Sequence, residues 1–220
     1  MKILVTSCDK NDDTFEAFHH CIEKYWPKHP EVIYSTETKK NPYYKTICKD
    51  YPLNLWTRRM RETLAEIDDD RVLFMADDCF IRHPVDTERM DYILKHWGEN
   101  LACFNLERSW DPNDEDTEFE GVKKRRKGSR YEVSLMIGIW DREKLVDILR
   151  RNCDPWTIEE QQFSKGYDYY INGGADIIDF GYYHTWIPFG ISRGKWCREV
   201  VPFFEHEGIQ VDYSRKGFRG

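Results

Sequence analysis

The first 106 residues alternate between short apolar runs and apolar stripes with helical spacing. Runs without polar alternation, which are typical of buried parallel strands, lie at residues 2–6, 31–35, 71–76 and 101–106. Apolar side chains that recur every three or four residues predict helices over 14–25, 54–67 and 86–98. Strands that alternate with helices indicate an α/β fold in which helices flank a mostly parallel central sheet.

The pattern is less regular from residue 107 onwards. Residues 109–130 are so highly charged that they predict a loop or hairpin, whereas 133–140 predict a strand and 141–151 a helix. Beyond Asp154, short aromatic segments and glycines indicate irregular structure. Because no stretch has the composition of a linker, we expect the 220 residues to form one domain.

Composition and charge narrow the class of protein. Hydrophobic residues make up 40% of the chain, which is ample for a core, and the net charge of −7 argues against general affinity for nucleic acids. The seven cysteines are scattered without a CxxC pair, which argues against zinc and thiol-redox motifs and indicates free thiols. The apolar run at the N-terminus is too short for a signal peptide or membrane span, so we expect a cytoplasmic protein with no membrane partner.

Two adjacent carboxylates, Asp77 and Asp78, follow the most apolar of the predicted strands. Ligands of open α/β sheets bind at the carboxyl ends of strands, and paired acids there need a cation between them. A divalent ion, Mn²⁺ or Mg²⁺, that bridges a diphosphate is the natural candidate. A solvated turn after the strand is the structural alternative.

A second candidate is the turn that follows the first strand. Its residues Thr6, Ser7 and Asp9 carry hydroxyl and carboxylate groups that can hold a base or ribose. Neither GxGxxG nor GxxxxGK[ST] occurs, which disfavours a dinucleotide enzyme or a P-loop NTPase. Capping of the following helix would explain the same residues.

Two further motifs lie late in the chain. Pro155-Trp156-x-x-Glu159 places an aromatic ring, which can stack on a sugar, near a carboxylate that can take a hydroxyl proton. Gly194-Lys195-Trp196 offers a cation that suits a leaving diphosphate. A surface tryptophan that anchors a loop and an exposed basic turn are the structural alternatives.

Taken in chain order, these motifs resemble the GT-A-type, nucleotide-sugar-dependent glycosyltransferases of bacteria and phages. The matching stretches cover most of the chain. They are residues 6–9 with 25–27, Trp56 with Arg59, the DxD-like strand end 72–81, residues 134–140 with 155–159, and 194–196. Ala76 stands where a strict DxD motif has its first acid. The resemblance implies one Rossmann-like GT-A domain, with a nucleotide-sugar-binding half at 1–106 and an acceptor-side half at 107–220.

The resemblance also implies roles for individual residues. Contacts with the nucleoside fall to Thr6, Ser7 and Asp9, and contacts with the diphosphate to Arg59 and Lys195. Asp78, together with Asp77, would bind the metal. Glu159 would be the general base, with Glu160 as the neighbouring alternative. The implied reaction moves a hexose or pentose from a nucleoside diphosphate to an acceptor hydroxyl. A non-catalytic nucleotide- or glycan-binding module and a nucleotidyltransferase are the rival classes.

The acceptor is the least constrained part of the prediction. Six acids at 111–120 precede six bases at 123–130. These charges either pair as a charged hairpin or leave Lys124, Arg125 and Arg126 free to bind a polyanion. We favour double-stranded phage DNA with hydroxymethylated bases as the acceptor, and keep surface polysaccharide or lipopolysaccharide as the alternative. A base that leaves the stack could be received by Trp110 or Tyr131, and Trp156 would contact the acceptor.

Overall fold

The computed structural model describes residues 1–109, 111–161, 163–181 and 189–220, so Trp110 lies outside the described residues. Within these ranges a nine-stranded sheet has the order β3-β2-β1-β4-β8-β5-β9-β7-β6. Its strands are β1 (Lys2–Thr6), β2 (Val32–Thr36), β3 (Lys45–Cys48), β4 (Arg71–Ala76), β5 (Leu101–Arg108), β6 (Glu115–Asp116), β7 (Val122–Lys124), β8 (Gly138–Asp141) and β9 (Asp168–Asn172). A separate hairpin consists of β10 (Ile191–Ser192) and β11 (Lys195–Trp196).

The first four strands form the parallel half of the sheet. β1 pairs in parallel with β2 and β4, and β2 pairs in parallel with β3. Ile3, Leu4 and Val5 of β1 are completely buried because helices cover both faces. This two-sided burial explains the absence of polar alternation in β1 and β4, and the predicted mostly parallel α/β sheet is confirmed.

Helices α1 (Phe15–Tyr25) and α2 (Trp56–Leu64) lie on opposite faces of this half. One core cluster joins Phe18 and Ile22 of α1 to the sheet, and the other joins Met60 and Leu64 of α2 to it. Both helices agree with the predicted stripes. The remaining helices are α3 (Thr87–Lys95), α4 (Arg142–Ile148), α5 (Pro155–Glu160) and α6 (Val201–Glu207).

The second half of the sheet departs from a purely parallel arrangement. β8 is antiparallel to both neighbours, β4 and β5, whereas β5 and β9 are parallel. The strand predicted over 133–140 begins only at Gly138. Before it, the Ser134 carbonyl accepts a hydrogen bond from Asn105 Nδ2, and Leu135 N donates to Glu159. These backbone groups pair with side chains, so the buried segment does not extend the strand.

The prediction of irregular structure beyond Asp154 is wrong for five elements of the described residues, α5, β9, β10, β11 and α6. The signals for α5 are Asp154, whose carboxylate accepts a hydrogen bond from Thr157 N, and a proline in the first turn. The short edge strand β3 was also not predicted, since only one of its four residues is buried. The charged segment contains the β6–β7 hairpin, in agreement with the loop-or-hairpin prediction.

Two further sequence predictions concern the whole chain. All seven cysteines of the described residues are free, as predicted. Of the helices that the structure describes, none combines the length and apolarity that crossing a membrane requires.

Candidate active site

A cavity of about 760 Å³ opens at the carboxyl ends of β1, β4 and β5. Thr6 and Ala76 are the last residues of β1 and β4, and Glu107 and Arg108 end β5. The other described lining residues are Trp56, Phe74, Ser109, Arg125, Tyr131, Ser134, Leu135, Met136, Pro155, Trp156, Glu159 and Phe189. This edge is where open α/β sheets bind their ligands, so the cavity is the candidate active site.

Glu159 projects into the cavity from α5. Its Oε1 accepts a hydrogen bond from Leu135 N at 2.7 Å. Burial raises the pKa of Glu159 to about 7, and the Leu135 hydrogen bond opposes this rise. The charge of Glu107 raises the same pKa and that of Arg125 lowers it. Glu160, by contrast, is exposed. Glu159 is therefore a carboxylate that can gain or lose a proton near neutral pH.

Glu107 and Arg125 form a buried pair in the cavity wall. Arg125 Nη2 lies 3.6 Å from Glu107 Oε1, and burial raises the pKa of Glu107 against the effect of Arg125. Among the described residues, neither Nε nor Nη2 of Arg125 has a hydrogen-bond partner. Arg125 was predicted to bind the acceptor, whereas Glu107 was not predicted, although an acid directly after a buried strand was a signal for it.

The basic segment comprises the six bases at 123–130. Its members Lys123, Lys124 and Arg126 lie away from the cavity. Lys124 Nζ lies 2.7 Å from Asp168 Oδ1, and Lys123 Nζ lies 3.4 Å from Asp116 Oδ1 across the β6–β7 hairpin. Arg126 is exposed. The segment thus divides its charges between intramolecular ion pairs, the cavity wall and the surface.

Aromatic side chains make up much of the rest of the cavity wall. Trp156 is 58% exposed, an unusual state for so large an apolar ring. Trp56 is buried, and its Nε1 donates a hydrogen bond to Thr6 Oγ1 at 3.1 Å. Tyr131 lines the cavity as well. An aromatic wall next to a carboxylate suits a ligand with both apolar and hydroxyl faces.

Asp77 lies beneath the turn that follows β1. Its Oδ2 accepts hydrogen bonds from Ser7 Oγ at 2.5 Å and Thr14 Oγ1 at 3.0 Å, and its Oδ1 accepts one from Asn11 Nδ2 at 3.3 Å. Burial raises the pKa of Asp77 to about 6, and these donors oppose the rise. Both carboxylate oxygens of Asp77 accept hydrogen bonds within the protein, and Asp77 is 3% exposed and not among the described residues that line the cavity.

Asp78 accepts hydrogen bonds from a different segment, residues 190–191. Its Oδ2 accepts a hydrogen bond from Ile191 N at 3.1 Å, and its carbonyl accepts one from Gly190 N at 2.8 Å. Burial and the charge of Asp77 raise the pKa of Asp78. No cluster of three or more metal-ligating side chains occurs among the described residues. Asp78 is 7% exposed and is not among the described residues that line the cavity. It could supply a metal with one carboxylate ligand, with phosphate oxygens as further ligands.

Arg215 and Lys216 supply cations to the acidic turn that follows β1, residues 9–13. Lys216 Nζ donates hydrogen bonds to Asp13 and to the Lys10 carbonyl, and Arg215 Nη2 donates to Asp12 at 2.5 Å. The charge of Lys216 lowers the pKa of Asp77. Sequence analysis missed Lys216, because a pair separated by 203 residues leaves no local pattern.

Arg59 and Asp9 stabilise the same region by contacts within the protein. Arg59 is 3% exposed, forms an ion pair with Glu37 and donates to the Ser7 carbonyl at 2.7 Å. The Asp9 carboxylate accepts hydrogen bonds from Thr38 N at 3.0 Å and Lys39 N at 2.9 Å. Of the predicted nucleoside contacts, Thr6 is the one that lines the cavity.

Lys195 is exposed on the β10–β11 hairpin. Arg193 and Gly194 form its two-residue turn with φ of 53° and 75°, as turns matched to the strand twist require. The adjacent Trp196 is completely buried and stacks on Phe80 at 6.3 Å between ring centroids. Gly194 thus serves a tight turn, and Trp196 anchors the hairpin to the core.

Several solved structures resemble this fold. S. aureus TarS gives a TM-score of 0.54 at 12% identity, over 80% of this chain and 36% of TarS. The catalytic domain of Drosophila β1,4-galactosyltransferase 7, in complex with xylobiose, gives 0.43 at 12% identity over 81% and 66% of the two chains. The bifunctional IspDF of Campylobacter jejuni gives 0.45 at 14% identity over 79% and 50%. No family model and no curated protein sequence matches the chain.

At these identities the likeness concerns the fold. The chain has an α/β fold of the GT-A type, and its structural neighbours are glycosyltransferases and nucleotidyltransferases. It spans half of the IspDF chain and 36% of the TarS chain.

Proposed function

We propose that the protein transfers a sugar from a nucleoside-diphosphate donor to an acceptor hydroxyl, with Glu159 as the general base. The observation that carries this proposal is the position of Glu159. It is a carboxylate with a pKa of about 7, inside a cavity of about 760 Å³ at the carboxyl edge of the sheet. A base is most effective when its pKa lies near the working pH.

In the proposed reaction, the acceptor oxygen attacks the anomeric carbon of the donor sugar. The bond from that carbon to the diphosphate breaks, and the diphosphate leaves with the electron pair. Glu159 takes the acceptor proton on Oε2, since Oε1 already accepts a hydrogen bond from Leu135 N. Trp156 offers its exposed ring to the acceptor. A base placed opposite the leaving group favours inversion of the anomeric centre.

The donor side is assigned to the strands of the first half. Thr6, held by Trp56, and Ala76 form the wall at the ends of β1 and β4. Ser7 and Asp9 keep their proposed role towards the nucleoside through the turn that they shape. Arg59, proposed for the diphosphate, would act through its hydrogen bond to the Ser7 carbonyl. The division into a donor half, 1–106, and an acceptor half, 107–220, stays part of the proposal: Thr6 and Ala76 of the first half and Glu107 and Glu159 of the second line one cavity.

The proposal includes a divalent ion, Mn²⁺ or Mg²⁺, with Asp78 as a ligand. When bound, such an ion would neutralise charge on the departing diphosphate. Asp77 would act mainly by holding the turn in which Ser7 and Thr14 lie. Lys195, exposed on its hairpin, is proposed as a further cation for the diphosphate.

The acceptor proposed from the sequence, double-stranded DNA, has less support than a glycan. Ion pairs engage Lys123 and Lys124, and Arg125 is buried in the cavity wall, so the basic segment offers DNA a small part of its charge.

The test combines binding and turnover. Thermal shift is measured with a panel of nucleoside-diphosphate sugars and free nucleoside triphosphates, each with and without Mn²⁺. Stabilisation by one diphosphate sugar, followed by its turnover, supports the proposal. Stabilisation by a triphosphate alone would instead indicate a nucleotidyltransferase. Glu159→Gln should bind the donor and lose turnover, whereas Glu160→Gln should keep both.

A further inference from the structure

Tyr131 adopts a backbone conformation that bulky residues seldom adopt. Its φ is 62°, in the left-handed region, where the β-carbon of an ordinary residue is crowded. Two other residues with side chains, Lys165 and Arg193, share this property within the described residues, and each directly precedes a glycine in a turn. Tyr131 differs from both because its side chain lines the cavity that contains Glu159.

Buried polar contacts hold Tyr131 in this conformation. The Glu132 carboxylate accepts a hydrogen bond from Gly128 N at 2.8 Å, and Glu132 N donates to the Ser129 carbonyl at 3.1 Å. Ser129 and Glu132 are 4% and 3% exposed. Buried hydrogen bonds of this loop therefore stabilise the strained conformation of Tyr131. Strain that the surroundings over-determine in this way clusters at ligand-binding sites.

The surroundings of Tyr131 indicate what its ring contacts. The guanidinium of Arg130 lies over the ring, 4.9 Å from its centroid, which leaves the rest of the half-buried ring for the cavity. Trp156 lines the same cavity with its large exposed ring, and Glu159 lies one helical turn beyond Trp156. Two aromatic rings and a base thus share one compartment.

We propose that Tyr131 determines acceptor specificity: together with Trp156 it holds the ring of a carbohydrate acceptor beside Glu159. Sugars present apolar C–H faces to aromatic rings and hydroxyl groups to a base. A polyanion is less suited, because ion pairs with Asp116 and Asp168 engage Lys123 and Lys124. The inference rests on the proposed glycosyl transfer and adds the class of the acceptor.

The experiment compares three substitutions at Tyr131 with one matched control. Tyr131→Phe keeps the ring, Tyr131→Leu removes the ring and keeps the strain, and Tyr131→Gly removes both. Lys165→Gly relieves the same kind of strain in an exposed turn. Acceptor KM and donor KM are measured with a panel of mono- and oligosaccharide acceptors, alongside Tm.

We expect Tyr131→Leu and Tyr131→Gly to raise the acceptor KM by about tenfold, the effect of losing roughly 1.4 kcal/mol of contact. Donor KM should stay unchanged, and Tyr131→Phe should behave like the wild type. Tyr131→Gly should keep or raise Tm, by about 2–4 °C, because it relieves the strain. Lys165→Gly should raise Tm similarly without any change in KM.

Each contrary result identifies what is wrong. A wild-type protein that neither binds nor turns over any nucleotide sugar overturns the proposed function and this inference with it. A protein that transfers sugar with an unchanged acceptor KM in Tyr131→Leu overturns the inference alone. So does a fall in Tm in Tyr131→Gly with both KM values unchanged, since the ring would then serve the fold. Saturation by hydroxymethylated DNA, and by none of the saccharides, overturns the carbohydrate assignment.

Discussion

Replacement of Glu159 by glutamine should stabilise the protein while it abolishes transfer. Burial raises the pKa of Glu159 from its ordinary value of 4.5 to about 7. The folded state therefore binds a proton more tightly than the unfolded state does. The contribution of Glu159 to stability is most favourable below about pH 4.5, declines as the pH rises towards 7, and stays at its low value above 7. Because glutamine does not ionise, the variant does not lose this stability as the pH rises.

The size of the effect follows from the two pKa values. One pKa unit corresponds to about 1.4 kcal/mol, so ionised Glu159 lowers the free energy of unfolding by about 3 kcal/mol at pH 8. At pH 5 most of this loss is absent and about 1 kcal/mol remains. The advantage of Glu159→Gln should therefore grow by about 2 kcal/mol between these pH values, or by about 4–8 °C in Tm.

Urea unfolding at pH 5 and pH 8 measures this difference, with Glu160→Gln as the matched control. The control removes a neighbouring carboxylate that is exposed, so its stability should stay within about 0.5 kcal/mol of the wild type. Turnover should fall by about 10²–10⁴-fold in Glu159→Gln, and wild-type turnover should rise as the pH passes through about 7. Equal stability of Glu159→Gln and wild type at both pH values would refute the reasoning, because the carboxylate would then be well solvated.

Four further predictions concern the acidic turn and the basic segment. Asp77→Ala should lower the free energy of unfolding by about 1–3 kcal/mol, since the buried donors Ser7 and Thr14 lose their acceptor. Asp78→Ala should still fold in urea unfolding and lose Mn²⁺-dependent donor stabilisation and transfer. Lys216→Met should cost about 3–5 kcal/mol in the same assay, because it leaves Asp13 buried without its cation; an unchanged midpoint would show that the pair is solvated. Replacement of the five bases at 123–127 by glutamine or serine should leave duplex DNA binding unchanged across a salt series if the acceptor is a glycan. A shallower salt slope in the variant would restore the DNA acceptor.

Much of the fold could be predicted because the parallel strands are buried on both faces. β1 and β4 have the same bounds in the structure as in the prediction, since an uninterrupted apolar run has few alternatives to a buried strand. The helices α1 and α2 have a single apolar stripe each, which fixes their faces. β3 and β9 were missed because each is short and carries polar residues, so pairing with a neighbour decides their conformation.

The candidate site was only partly predictable for a related reason. Glu159 could be proposed from a local motif, and its neighbour Leu135 N could not, because the hydrogen bond that orients Glu159 joins residues 24 positions apart. Asp77 and Asp78 were recognised as a pair, but their partners Ser7 and Ile191 lie in distant segments. Sequence patterns identify the candidate carboxylates. Long-range contacts determine which of their oxygens already accept hydrogen bonds within the protein.

The contact between Lys216 and Asp13 has a consequence for synthesis on the ribosome. The two residues are 203 positions apart, and chains grow at about 5–20 residues per second. Asp13 therefore exists for roughly 10–40 s before its cation is made. During that interval Asp13 lacks its cation, so the turn that follows β1 should reach full stability only after Lys216 has been made.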